Sequence, residues 1–254
     1  MTLFILALGV ASSLINYRYK YLQKKVEEKN VINKRITDLK LASLRAQMNP
    51  HFIFNCLNSI QHFILKNDIA QTNRYITKFS NLIRQTLDNS GKVNISVSDE
   101  MNYLISYIEL EQMRFSSKFQ YIISIGPDIQ TDYMFIPSLL FQPFVENSIR
   151  HGIRYKKTGT GLIKITITQT SSDVLFTIED NGIGMEAARR YRSVQHIEYQ
   201  SKGITLTQDR LETLNSVDTE KITCVITDLK DESLNSRGTK VTISFPKSII
   251  EKLN

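Results

Sequence analysis

The spacing of apolar residues changes its period about halfway along the chain. Up to about residue 117, apolar side chains recur every three or four positions, as they do on the buried face of amphipathic helices. Beyond Ser116 they alternate with polar side chains, as in the segments 163–167, 174–178 and 241–245, which is typical of half-buried β-strands. The pattern therefore predicts an α+β chain with a helical first part and a mixed second part.

Three helices are predicted in the first part. Residues 18–66 contain no glycine and a single proline, which favours one long helix interrupted at Pro50. A second helix is expected over 69–88 and a third over 99–115, with Ser98 as its N-cap. Apolar residues define the expected core faces of the first two helices: Ile53, Leu57, Ile60 and Ile64, and then Tyr75, Ile76, Phe79, Leu82, Ile83 and Leu87.

The second part predicts strands that alternate with two helices. One helix is expected from Ser138 to His151 and the other from Ile204 to Asn215. Polar residues at Thr170 to Asp173 predict a hairpin turn between two strands. The order of strand, helix, two strands, loop and helix, and two strands indicates an α/β sandwich.

The chain opens with an apolar run that is followed by a basic stretch. Residues 3–15 (LFILALGVASSLI) are apolar, and residues 17–40 hold eight Lys/Arg against three Asp/Glu, as at the cytoplasmic end of a membrane span. Thirteen helical residues reach roughly 20 Å, against a hydrocarbon core of about 30 Å. We therefore expect residues 1–16 to be a partial or terminal transmembrane segment. A signal peptide is the alternative, weakened by the lack of a basic n-region and a cleavage site.

Residues 17–43 are expected to form a juxtamembrane helical linker. A short heptad seam fits a parallel helix pair, and a single solvated linker fits the same stretch equally well. The seam consists of Ile32, Ile36, Leu39, Ser43 and Ala46. Beyond the linker, the change of period predicts a helical domain over 44–117 and a mixed domain over 118–254.

Composition excludes several classes of protein. Cys56 and Cys224 lie far apart in the sequence, which indicates neither a disulfide framework nor a zinc site. Of the net charge of +7, residues 17–40 account for +5. The remaining +2 argues against direct binding to nucleic acid.

A polar turn interrupts the otherwise apolar segment PSLLFQPFVENSIRHG (137–152). It contains Glu146, Asn147, Arg150 and His151. An amide oxygen suits a hard cation such as Mg²⁺, a carboxylate can orient or activate a reacting group, and a guanidinium neutralises phosphate charge. The turn by itself also fits an amphipathic helix with a solvated end.

Three later segments carry features of a ligand site. In IEDNGIGM (178–185), a strand ends at Asp180, whose carboxylate can accept a hydrogen bond from an amine, and glycines follow. In SKGITLTQDRLETLN (201–215), Gly203 opens a helix whose free N–H groups can bind phosphate. In SRGTKVTISFP (236–246), Gly238 and Thr239 open the last strand.

Taken together, these four segments resemble the nucleotide-binding boxes of the GHKL ATPase superfamily, which includes DNA gyrase and the histidine kinases. No Walker A sequence is present, which excludes a P-loop. The resemblance implies a Bergerat-type fold that binds ATP and Mg²⁺. It further implies a role for each matching residue: Asp180 on the adenine amino group, Asn147 on Mg²⁺, Glu146 near the reacting phosphate, and Gly182, Gly184 and Gly203 around the nucleotide. Thr205 departs from the family's pattern, because many relatives carry a glycine there.

The Pro-His pair at residues 50 and 51 is unusual within a helical pattern. At 100° per residue, His51 shares one face with Asn55, Asn58 and His62, opposite the apolar side chains. Either Asn49 caps a new helix with Pro50 at its first position, or the helix continues with a kink at Pro50. Both arrangements expose the imidazole, which is a competent nucleophile when neutral.

The segment LRAQMNPHFIFNCLNSI (44–60) resembles the phosphoacceptor motif of LytS-type sensor histidine kinases. The segments YITKFSNLIRQTL (75–87) and YIELEQMRF (107–115) are similar to the helices that follow in that family. The resemblance implies that 44–117 is a dimerisation and phosphoacceptor region and that 118–254 is the catalytic domain. Asn55 resembles the position that orients water in kinases that are also phosphatases. Because Phe52 stands where other histidine kinases keep an acid, the general base stays open, with Glu146 as the first candidate.

The function implied by this resemblance is that of a bacterial sensor kinase. It would be a homodimer at the cytoplasmic membrane, in contact with lipid and with its catalytic domains in the cytoplasm. It would autophosphorylate on His51 and pass the phosphoryl group to an aspartate of a response regulator, often of the LytTR type. Two alternatives are a nucleotide-binding scaffold without catalysis and a GHKL hydrolase that acts on nucleic acid.

Overall fold

The computed structural model describes residues 18, 23, 50–115, 118–194, 202–215, 220–230 and 236–253. The chain divides into two compact units, Met1–Ile53 and Phe54–Asn254, and nearly all described residues belong to the second. The predicted membrane segment (1–16) and the heptad seam (32–46) lie outside the described residues. Within the described ranges, no helix combines the length and the apolar character that a membrane crossing requires.

Seven helices and seven strands follow one another in the described ranges. The helices are α1 (Pro50–Leu65), α2 (Ile69–Ser90), α3 (Val97–Arg114), α4 (Gln142–Asn147), α5 (Gly184–Val194), α6 (Lys202–Asn215) and α7 (Lys247–Leu253). The strands are β1 (Asn94–Ser96), β2 (Phe119–Ile125), β3 (Phe135–Pro137), β4 (Gly161–Gln169), β5 (Asp173–Asp180), β6 (Thr223–Lys230) and β7 (Ser236–Pro246). A π-helical turn, Ser148–Gly152, directly continues α4.

Five strands form one sheet in the order β2-β4-β5-β7-β6. The β2–β4 pair is parallel and the other pairs are antiparallel. The predicted alternation is confirmed, because Ile163, Phe176 and Ile243 point into the core while their polar neighbours do not. Phe141, just before α4, stacks on Phe176 at 4.8 Å between ring centroids. The mixed part is therefore an α/β sandwich, as predicted.

Helix α3 links the helical part to the sandwich. It contacts α2, α4 and β2, and Leu104, Ile108 and Leu110 are fully buried. Its N-cap is Ser96, whose hydroxyl accepts a hydrogen bond from the N–H of Asp99 at 3.0 Å. The prediction of Ser98 as the cap was wrong, because the helix starts two residues earlier.

The predicted helix from Ser138 to His151 was also wrong at its start. Strand β3 ends at Pro137, and Leu139 has φ 54°, in the left-handed region that interrupts a helix. The helix begins only at Gln142. The predicted turn from Thr170 to Asp173 is confirmed, with Thr170 N–H donating to the Asp173 carbonyl at 2.8 Å.

The predicted core faces of α1 and α2 were only partly right. Tyr75 and Leu82 are buried, and Cys56, which the prediction did not include, is fully buried on α1. Several large apolar side chains are instead exposed, and we call them the outer apolar faces of α1 and α2. These are Phe54, Leu57 and Ile64 on α1, and Ile69, Ile76 and Leu87 on α2. Each set falls on one side of its helix at 100° per residue.

Candidate active site

Asp180 lies at the end of β5 and is almost completely buried, with 2% of its surface exposed. One carboxylate oxygen accepts a hydrogen bond from Ser148 Oγ, and the other accepts one from the N–H of Gly182, both at 2.9 Å. Burial raises the pKa of Asp180 to about 6, and the hydrogen bonds from Gly182 and Ser148 counteract part of that rise. At neutral pH the group is mainly a carboxylate, which can accept a hydrogen bond from an amino group.

Two glycines allow the chain to pack tightly around this carboxylate. A Cβ added to Gly182 would collide with the backbone of Gly152, and a Cβ on Gly152 would lie 2.7 Å from Asp180 Oδ1. The turn after β5 and the π-helical turn after α4 can approach each other only because neither residue has a side chain. The sequence pattern indicated Gly182 but not Gly152 or Ser148, although both lie in the segment 137–152 that contains the polar turn.

Strand β7 approaches the same aspartate from the neighbouring position in the sheet. Thr239 pairs with Asp180 in the antiparallel register. Gly238 has φ 146°, and a Cβ there would collide with the Asp180 carbonyl oxygen. Gly238 and Thr239 therefore lie beside Asp180. We call Asp180 and the residues packed around it the Asp180 site: Ser148, Gly152, Gly182, Gly238 and Thr239.

Gly184 belongs to a second tight contact, at the start of α5. Its φ is 76°, and a Cβ would lie 2.5 Å from Asp228 Oδ1. Asp228 accepts hydrogen bonds from Met185 N–H at 2.9 Å and from Ser236 Oγ at 2.6 Å. Asp228 thereby ties α5 to β6 and β7, a role that no sequence motif indicated.

The Asp-Asn-Gly turn is also fixed by Asn181 and Lys156. Asn181 Oδ1 accepts the N–H of Leu162 at 2.7 Å, which joins the turn to β4. Lys156 Nζ donates to the Asn181 carbonyl at 2.5 Å, and its charge contributes to lowering the pKa of Asp180. No sequence motif indicated Lys156, which places a cation beside the buried carboxylate of Asp180.

Glu146, Asn147 and Arg150 lie where α4 passes into the π-helical turn. Glu146 Oε1 and Arg150 NH1 form an ion pair at 2.5 Å, and both side chains are largely buried. Asn147 Nδ2 donates to the Pro143 carbonyl at 2.6 Å, so the group that Asn147 can present to a ligand is its Oδ1. Since Ser148 follows immediately and bonds to Asp180, this helix end belongs to the Asp180 site.

The other predicted residues fall in different parts of the structure. Gly203 is the second residue of α6, which contacts α4, whereas the side chain of Thr205 lies outside the described part. His51 is the second residue of α1, and its side chain also lies outside the described part. His151 is half-buried in the π-helical turn.

Asn55 is half-buried and lines a cleft of about 810 Å³ between α1, α2 and α3. None of the residues that line this cleft belongs to the Asp180 site. Asn58, His62, Lys66 and Arg74 also line it.

The residues of the Asp180 site fit a magnesium nucleotide. A buried carboxylate surrounded by glycines suits the amino group of a purine, and Asn147 Oδ1 suits a hard cation. In the described ranges, no group of three or more His, Cys, Asp or Glu could hold a metal ion. A site of this kind would share Mg²⁺ with phosphate oxygens, as is usual for this ion.

The sandwich and its Asp180 site define a GHKL-type ATPase domain. Comparison with protein families agrees: residues 136–249 match the family of histidine kinase-, DNA gyrase B- and HSP90-like ATPases, and residues 39–119 match the histidine kinase family. The chain belongs to the histidine kinases, and its relatives include the LytS-type sensor kinases.

Three relatives illustrate the similarity. The sensor protein LytS of Bacillus cereus is 27% identical over 233 residues, which cover 91% of this chain and 38% of the relative. LytS of Bacillus subtilis is 32% identical over 165 residues, covering 64% of this chain and 27% of that protein. The sensor histidine kinase YpdA of Escherichia coli is also 32% identical over 165 residues, covering 65% and 28%. The chain thus spans well under half the length of these relatives.

Proposed function

We propose that this chain is the kinase part of a membrane-attached sensor histidine kinase that phosphorylates itself on His51. The buried carboxylate of Asp180, held by Ser148 and Gly182 in a turn that excludes side chains, is the observation that carries the proposal. The match of residues 39–119 to the histidine kinase family supports the acceptor.

In the proposed reaction, a ring nitrogen of neutral His51 attacks the γ-phosphorus of ATP. A nitrogen–phosphorus bond forms, the bond from that phosphorus to the β,γ-bridging oxygen breaks, and ADP leaves with the electron pair. The imidazole releases one proton, which we assign to Glu146. Asn147 Oδ1 would hold Mg²⁺, which neutralises phosphate charge when bound. Arg150 would add a fixed positive charge near the phosphates, and Asp180 would orient the adenine.

Labelling with γ-labelled ATP tests the acceptor. The purified chain should form an acid-labile, base-stable phosphoprotein, and His51→Gln should abolish the label while His62→Gln keeps it. If His51→Gln is labelled as strongly as wild type, the acceptor assignment is wrong and His62 becomes the next candidate.

We further propose a homodimer formed through the outer apolar faces of α1 and α2. Exposed apolar residues that recur on one side of two successive helices are typical of an interface. In analytical ultracentrifugation, Leu57→Asp combined with Ile76→Asp should give monomers. Val225→Asp is the matched control, because Val225 is 56% exposed but lies on β6. Dimers that persist in the double variant would contradict this interface.

The proposed receiver of the phosphoryl group is a response regulator of the LytTR type, and the cleft lined by Asn55 supports this partner. Lys78 and Arg114 at the cleft are paired with Glu109 and Glu111 at 2.5 and 2.6 Å. Lys66 and Arg74, against Asp68, leave the cleft with a net positive charge, which complements an acceptor aspartate. Asn55 would orient water there during dephosphorylation of the response regulator.

We also propose that the chain is attached to the bacterial cytoplasmic membrane and contacts its lipid, with the catalytic domain in the cytoplasm.

A further inference from the structure

Glu100 is fully buried although it is a carboxylic acid. It lies in the first turn of α3, and each of its oxygens accepts one backbone N–H at 3.0 Å, Oε1 from Phe141 and Oε2 from Leu139. An ionised carboxylate suits this arrangement, because it only accepts hydrogen bonds. The N-terminal turn of a helix also favours negative charge. Two backbone hydrogen bonds therefore compensate for the burial of Glu100 and join α3 to the segment before α4.

The two amides bonded by Glu100 belong to a strained part of the backbone. Leu139 has φ 54°, a left-handed conformation that is unfavourable for a residue other than glycine. Such a conformation persists only where the surrounding structure holds it. Phe141, two residues later, is the N-cap of α4. Glu100 therefore binds the backbone at both the strained residue and the N-cap, immediately before α4 begins.

The start of α4 in turn determines the position of the site residues. The helix has six residues, and Glu146 and Asn147 are its last two. A second contact comes from the next turn of α3, where Tyr103 OH donates to Gln142 Oε1 at 3.0 Å. One side of α3 therefore holds α4 at two points, neither of which lies among the residues assigned to the nucleotide.

We propose that Glu100 is a positioning residue for the nucleotide site: by binding the amides of Leu139 and Phe141, it places Asn147 to hold Mg²⁺ and Glu146 to serve the reacting phosphate. This inference rests on the proposed function. Misplacement of reacting groups by about 1 Å can cost on the order of 100-fold in rate, so a displaced α4 should affect the magnesium-dependent part of the site. The adenine contact at Asp180 should change less, because Asp180 lies on β5 and is held by the Gly182 turn, and only its hydrogen bond from Ser148 comes from the segment after α4.

The test compares Glu100→Gln with Asp99→Asn. The first change keeps the shape of the side chain but replaces one accepting oxygen by an NH₂ group that faces an N–H. The second is the same charge change at the exposed neighbouring residue. Isothermal titration calorimetry gives the dissociation constant of ATP with Mg²⁺ and with EDTA, and γ-labelled ATP gives the rate of labelling.

In Glu100→Gln, the dissociation constant of ATP without Mg²⁺ should stay within about threefold of the wild-type value. The gain in ATP affinity that Mg²⁺ provides should fall at least about tenfold, and the labelling rate should fall by a similar factor. Asp99→Asn should resemble wild type. If Glu100→Gln shows the wild-type dependence of ATP affinity on Mg²⁺ and the wild-type labelling rate, the inference is overturned.

If circular dichroism shows that Glu100→Gln does not fold, the same measurements are made on Tyr103→Phe. This variant tests the second contact between α3 and α4, because it removes only the hydroxyl that reaches Gln142. An unchanged magnesium dependence per folded molecule would then overturn the proposal. A wild-type chain that binds no nucleotide would refute the proposed function and this inference with it. A wild-type chain that binds Mg-ATP without labelling would refute only the kinase activity, and calorimetry would still decide the role of Glu100.

Discussion

Replacement of Asp180 by asparagine should stabilise the nucleotide-free chain while it removes the adenine contact. An aspartate in an unfolded chain titrates near pH 4, whereas burial raises the pKa of Asp180 to about 6. Between these values the folded state binds more protons than the unfolded state. The free energy of unfolding therefore falls as the pH rises through this window, and the loss is complete above it.

The magnitude follows from the difference between the two pKa values. Each pH unit is worth about 1.4 kcal/mol, so ionisation of Asp180 costs the folded chain about 3 kcal/mol at pH 7 and about 1 kcal/mol at pH 4.5. An asparagine avoids this cost. Its oxygen can still accept the N–H of Gly182, and the Ser148 hydroxyl can rotate to accept from its NH₂ group.

Urea denaturation of wild type and Asp180→Asn at the two pH values measures this effect. We expect the variant to be more stable than wild type by about 3 kcal/mol at pH 7 and by about 1 kcal/mol at pH 4.5. Calorimetry at pH 7 should show little or no binding of ATP to the variant. A stability difference that is the same at both pH values would refute the assignment of a raised pKa to Asp180.

Two further variants test the surroundings of this aspartate. Gly238→Ala should destabilise the chain by more than about 2 kcal/mol in urea denaturation, because it adds a clash with the Asp180 carbonyl to an unfavourable φ; stability equal to wild type would contradict the close approach of β7. Ser148→Ala removes a hydrogen bond that lowers the pKa of Asp180, so the pH midpoint for ATP binding should move upward in calorimetric titrations, and an unchanged midpoint would contradict the bond.

The sequence predicted the elements whose signal is local. The alternation of apolar and polar residues predicted the strands, and the Asp-Asn-Gly sequence predicted a turn at Asp180 and Gly182 where a strand ends. It could not predict Ser148 or Gly152, because their importance arises only when the turn after α4 meets a turn about 30 residues later in the chain. Asp228 was missed for the same reason, since its partners Met185 and Ser236 lie on other elements.

The errors in the helical part have a different physical cause. Helices α1 and α2 carry apolar side chains around more than one face, so periodicity alone does not distinguish the face that packs within the chain from an exposed one. Leu57 and Ile76 were assigned to the core and are 49% and 40% exposed. Before α4, the left-handed conformation of Leu139 interrupts the helix that was predicted to begin at Ser138. Nothing in the conformational preferences of leucine predicts this conformation.

The hairpin turn between β4 and β5 lies at the opposite end of the sheet from Asp180. Strand β5 has eight residues, so roughly 25 Å separates the two ends. Ser171 and Ser172 in this turn are exposed. A cysteine introduced at Ser171 could therefore carry a fluorescent dye without touching the catalytic end. Such a reporter would show whether the sandwich changes its surroundings during turnover, in a chain whose chemistry is undisturbed.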